Sequence, residues 1–201
     1  MPFVTPPPDD EPQMEPLGRM QILSAMGVTA IVLLLIARLW LFFDKTALLP
    51  VRLSTQDVLI GIGVGLGITL ASSATYEIWP LYRRNADFYL KFVLEPLTWP
   101  DLIWMGLLPG LSEELLFRGV MLPAIGLNWF GILISGLSFG VLHLSGLQQW
   151  AYMVWAIFIG VILAISATLT GNLLVPIVAH IVTNLVSSLV WKFRKGQATL
   201  S

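Results

Sequence analysis

Long apolar runs separated by short polar stretches make up most of this chain. The runs lie at about 20–43, 58–79, 102–125, 129–144, 150–169 and 173–191, and most approach the roughly 20 residues a helix needs to cross a bilayer core. Backbone polar groups in lipid must be satisfied within the segment, so each run predicts a helix. The fold class expected is all-α: a polytopic membrane helix bundle of about six transmembrane helices plus a short interfacial helix. The interfacial helix falls within Pro80 to Pro100, where Arg83, Arg84, Asp87, Lys91 and Glu95 are interspersed with Phe88, Tyr89, Leu90, Phe92, Val93 and Leu94.

The ends read differently. Residues 1–19 are rich in proline and acidic side chains and predict a disordered N-terminal tail. Their acidic start is unlike the cationic start of a cleavable signal, so the expectation is a retained segment. A single integral membrane domain is expected over 20–195, with its motif-bearing core at 102–191 and a C-terminal tail at 196–201. Gly61, Gly63, Gly65 and Gly67 form overlapping small-xxx-small pairs, a signal for close helix contact. A dinucleotide loop would need a preceding strand, and the flanks are wholly apolar. Pro109-Gly110 predicts a kink or break in the third apolar run.

Composition agrees with this class. The chain is 56% hydrophobic and 11% charged, against about 25% charged in soluble domains, which marks an integral membrane protein in contact with the lipid bilayer. A net charge of -1 gives no basic surface for nucleic acid, so no nucleic-acid partner is expected. The absence of cysteine excludes a thiol nucleophile, a disulfide framework and a Cys-based metal site. With six spans, Arg19, Arg83, Arg84, Lys91, Lys192, Arg194 and Lys195 share one side, facing Lys45 and Arg52 on the other. The positive-inside bias then predicts both termini in the cytoplasm.

The chemistry concentrates in Leu111-Ser112-Glu113-Glu114-Leu115-Leu116-Phe117-Arg118-Gly119, inside an apolar run. Each ionisable group near a bilayer centre costs about 2.5–3.5 kcal/mol on insertion scales, so three together indicate a functional site. On a helix, Glu114 and Arg118 lie four apart on one face and can neutralise each other. Glu113 is left without a partner in this segment. The chain has two histidines, His143 and His180, both in apolar runs, and Asn184 shares a helix face with His180.

If the third, fourth and sixth helices are neighbours, Glu113, His143, His180 and Asn184 form one inward polar set, each side chain needing a partner in lipid. The set suggests activation of water. A carboxylate in a low-dielectric cavity suits a general base near neutral pH, while histidine and asparagine can hold the water or donate to an oxyanion. Glu113, His143 and His180 could equally hold a divalent metal such as zinc. Spacing does not separate a metal-dependent from a metal-free site. Nor does it separate catalysis from interhelical tethering in a non-catalytic membrane adaptor.

Glu113-Glu114-x-x-x-Arg118, Phe139-x-x-x-His143 and His180-x-x-x-Asn184 occur in this order on separate predicted helices. Together they resemble the CPBP family: the CAAX prenyl proteases and bacteriocin-processing enzymes, also called Abi. The resemblance covers roughly Leu102 to Trp191. It implies an intramembrane endopeptidase acting on a membrane-associated or prenylated protein or peptide. Glu113 would activate water, His143, His180 and Asn184 would position the water and the oxyanion, and Glu114, Arg118 and Phe139 would support the site. The family includes enzymes described as metalloproteases, others described as metal-free, and scaffold members, and those alternatives carry over. A competing motif, Gly136-Leu137-Ser138-Phe139-Gly140, matches a nucleophile elbow, with His180 as the base of a serine protease. It lies within a predicted helix, whereas an elbow joins a strand to a helix.

Overall fold

The computed structural model describes residues 17–198, and every regular element among them is helical. Most of the residues expected to form the N-terminal tail, and 199–201 at the other end, lie outside the described residues. The helices are α1 (Arg19–Phe43), α2 (Thr55–Ile78), α3 (Pro80–Leu94), α4 (Leu102–Glu114), α5 (Leu122–Ile125), α6 (Trp129–Val141), α7 (Trp150–Thr170) and α8 (Leu174–Ala198). Four stretches are long and apolar enough to cross a membrane: Arg19–Phe43, Thr55–Ile78, Leu147–Thr170 and Leu174–Gly196. The other two apolar runs take different forms. The third is a rod of α4, a π-helical segment at Leu115–Met121, and α5; the fourth is the 13-residue α6.

Two boundaries differ from the sequence reading. The third run does not break at Pro109: α4 continues to Glu114 and changes pitch at Leu115. The fourth helix stops at Val141, so His143 lies on the turn beyond it. The cause is local. His143 Nδ1 lies 2.8 Å from the Phe139 carbonyl, the acceptor that the His143 amide would use in a continuing helix, and that amide turns to Gly140 O instead.

Glycine pairs set the closest helix contacts. A Cβ on Gly61 would lie 2.7 Å from Val178 Cβ, and one on Gly65 would lie 2.6 Å from Ala179 O, so α2 presses directly on α8. Gly63 and Gly67 have open space where a Cβ would be. On α4, Gly106 and Gly110 meet Leu185 and Ile181 of α8 in the same way, which holds α8 between α2 and α4. Gly136 and Gly140 of α6 abut Val161 and Ile157 of α7. The amphipathic α3 buries Tyr82, Asn85 and Ala86; Asn85 Nδ2 donates to Gln148 O at 3.2 Å, and the Tyr82 ring stacks on Tyr152.

Candidate active site

The π-helical segment begins immediately after the paired carboxylates. Two of its carbonyls also take donors from outside: Ser135 Oγ donates to Phe117 O at 3.1 Å, beside the Leu122 amide that already bonds there, and the Leu49 amide donates to Gly119 O at 3.0 Å. Within it, Arg118 is fully buried. Arg118 Nη1 donates to Glu114 Oε1 at 2.9 Å and Nη2 to Gly160 O at 2.7 Å. The pair expected four residues apart therefore forms, and α7 supplies a further acceptor. Such π segments recur at functional sites.

Glu114 Oε1 also lies 2.7 Å from His180 Nδ1 on α8. A carboxylate accepts and does not donate, so Nδ1 carries the proton in this bond. Glu114 and Arg118 are both 0% exposed, and Glu114 Oε2 and Arg118 Nε have no partner among the described residues. The result is a dry Arg118–Glu114–His180 relay joining the π segment to α8.

Glu113 belongs to a second, wetter pair. Its Oε2 lies 3.8 Å from His143 Nε2, with side chains 16% and 19% exposed, and this oxygen has no hydrogen-bond partner among the described residues. Because the Phe139 carbonyl can only accept, the contact at 2.8 Å assigns a proton to His143 Nδ1. In the neutral ring, Nε2 is then a free acceptor beside the carboxylate.

Phe139 separates the two pairs. Its ring centroid is 4.6 Å from that of His143 and 5.7 Å from that of His180, and the Arg118 guanidinium stands 4.5 Å from it. Glu113, Phe139, His143, His180 and Asn184 all line one cavity of about 420 Å³. The structure thus brings the expected set to a single cavity but divides it: Glu113 with His143, His180 with Glu114, and Asn184 Nδ2 on Met105 O at 3.3 Å. Among the described residues, no three His, Asp or Glu side chains gather as a metal-binding group. The donors for an ion would be Glu113 and the Nε2 atoms of His143 and His180, since both Nδ1 atoms are taken by protein acceptors, but these three side chains do not gather as one group among the described residues.

Ser138 is not among the residues lining the cavity, and the glycines flanking it in the elbow pattern are packing contacts with α7. The serine-protease alternative has no support in this geometry. Two cavity residues escaped the sequence reading: Tyr89 and Tyr152, stacked at 4.8 Å, with the Tyr152 ring 6.4 Å from His143. Burial, then the nearby Glu113 carboxylate, pushes the Tyr89 phenol up to about 12, so it stays a donor at neutral pH. The signal available was a tyrosine four residues before Val93 on an amphipathic stretch, which reads equally well as an interfacial anchor.

One carboxylate of the pair, Glu113, thus shares a cavity among the helices with both imidazoles, while Glu114 is sealed behind it. Residues 95–186, which contain all three motifs, match the family model for type II CAAX prenyl endopeptidase Rce1-like proteins. This part of the chain is similar to that Rce1-like family over somewhat less than half of the chain's length. The protein is similar to the uncharacterized protein YpbD of Bacillus subtilis (strain 168), with 31% identity over 126 residues. The match takes in 63% of this chain and 64% of YpbD, so the chain spans less than two thirds of that relative. No solved structure matches the chain. The family-model match and four long apolar helices suggest an integral membrane protein and a protease.

Proposed function

We propose that the protein is an intramembrane endopeptidase that hydrolyses a peptide bond in a membrane-associated or prenylated protein or peptide, using water activated by Glu113. The observation that carries this reading is the Glu113–His143 pair on the cavity wall. An ionised Glu113 and a neutral His143 present two acceptors 3.8 Å apart, too far to bond directly. A water that donates to both is left with an oxygen lone pair for the scissile carbonyl carbon. Glu113 takes the proton as the C–O bond forms and returns it to the leaving amine as the C–N bond breaks.

His180 completes the site from the other side of Phe139. The bond to Glu114 fixes its ring with Nδ1–H towards the carboxylate. In the neutral ring its Nε2 is then an acceptor on the cavity wall that can hold the attacking water or a substrate N–H. In this reading the rod from Leu102 to Ile125 and α6 also lie in the bilayer. That makes six crossings, with both termini cytoplasmic, as the distribution of cations supports.

The test compares peptide termini in membranes supplied with the parent chain or with Glu113→Gln, read by mass spectrometry. New termini that depend on the parent are expected. Identical terminus profiles from the two chains would reject the proposal.

A further inference from the structure

Pro109 has no amide hydrogen, and in an α-helix that hydrogen would bond to the carbonyl four residues earlier, on Met105. α4 nevertheless runs through Pro109 without breaking. Asn184 Nδ2 meets the Met105 carbonyl from α8 at 3.3 Å. The approach depends on the two glycines of α4: a Cβ on Gly106 would lie 2.6 Å from Leu185 Cγ, and one on Gly110 2.5 Å from Ile181 Cγ1. Asn184 sits between Ile181 and Leu185 in sequence, so the helices touch where its side chain must reach.

We infer that Asn184 is a positioning residue: its carboxamide replaces the hydrogen bond that Pro109 removes from α4, and so sets the pose of Glu113 one turn further on. The geometry commits one Nδ2 hydrogen to Met105 and leaves the second for the cavity that Asn184 lines. On α8, His180 and Asn184 are one turn apart and hold α4 at Glu114 and Met105, on either side of the proline. Asn184 thereby acts on Glu113 through the α4 backbone. Only the catalytic consequence rests on the endopeptidase reading; the contact itself does not.

A double-mutant cycle tests this in the full-length protein in detergent, read by thermal midpoint and by cleavage rate. Asn184→Ala is expected to lower the midpoint and slow cleavage about tenfold, within the range for a carbonyl that loses its partner in a partly buried contact. In a Pro109→Ala background the amide at 109 serves Met105, and the same step should cost at most about twofold in both readouts. An equal cost in the two backgrounds would overturn the inference. Asn184→Leu gives an independent check: it keeps the approximate size and has no donor in any protonation state, so it should be at least as damaging as Asn184→Ala, and parental behaviour would overturn the inference. Absence of cleavage by every chain, the parent included, would reject the endopeptidase reading, while the thermal cycle would still decide the role of Asn184.

Discussion

Glu114 and His180 lie 66 residues apart in sequence and 2.7 Å apart in space. Glu114 also holds Arg118, and all three side chains are buried. Removing the carboxylate charge with Glu114→Gln leaves the guanidinium buried without its counter-ion. Breaking one partner of such a pair costs about 3–5 kcal/mol. Unfolding in detergent should register this as a large fall in stability, and a midpoint equal to the parent's would contradict the buried relay.

The start of α1 is joined to the start of α4 by a bidentate pair. Arg19 Nε and Nη2 each donate to Asp101 at 2.7 Å, and Thr98 donates to the same carboxylate from its amide and hydroxyl. The hydrogen bonds from Arg19, then those from Thr98, hold the Asp101 carboxyl well below the usual carboxylate range. A depressed folded value means that the contribution is complete above the unfolded carboxylate value, about 4, and is lost as pH falls through the folded one. Asp101→Asn should therefore lower stability at neutral pH and flatten the dependence of stability on pH below about 4. An unchanged acid limb in pH-dependent unfolding would contradict this.

The glycine spacing of α2 makes opposite predictions for neighbouring turns. Gly65→Ala places a methyl 2.6 Å from Ala179 O and 2.8 Å from Val182 Cβ, a backbone and a branched side chain that cannot easily yield. Overpacking of this kind costs about 1–3 kcal/mol. Gly67→Ala meets nothing within 4 Å and should be neutral or mildly stabilising. Thermal midpoints of the two variants, measured side by side, check the assignment of the α2–α8 face.

Much of this was legible in the residues. Apolar run length placed the long helices α1, α2, α7 and α8, and the amphipathic stretch after Pro80 gave α3. The i,i+4 spacing of Glu114 and Arg118 gave their ion pair. The pairing of the histidines was not legible, because a helix-level pattern says which residues can face inward but not which will touch. His143 turned to its own helix end, and His180 chose Glu114 over Glu113. The continuation of α4 through Pro109 was hidden for a similar reason: the donor that meets Met105 O comes from Asn184, 79 residues beyond it. The Thr98-x-x-Asp101 cap had a readable signature, since Thr and Asp three apart before an apolar run mark a helix start.

Glu113 and Glu114 are chemically identical neighbours given opposite roles, one facing the cavity and one sealed in the relay. Cleavage rate and thermal midpoint, measured on purified Glu113→Gln and Glu114→Gln in parallel, separate these roles most directly. Loss of general-base function should slow cleavage by about 10²–10⁴ in Glu113→Gln with the midpoint close to that of the parent. A Glu113→Gln chain that cleaves at the parental rate would contradict the assignment of Glu113 as the base.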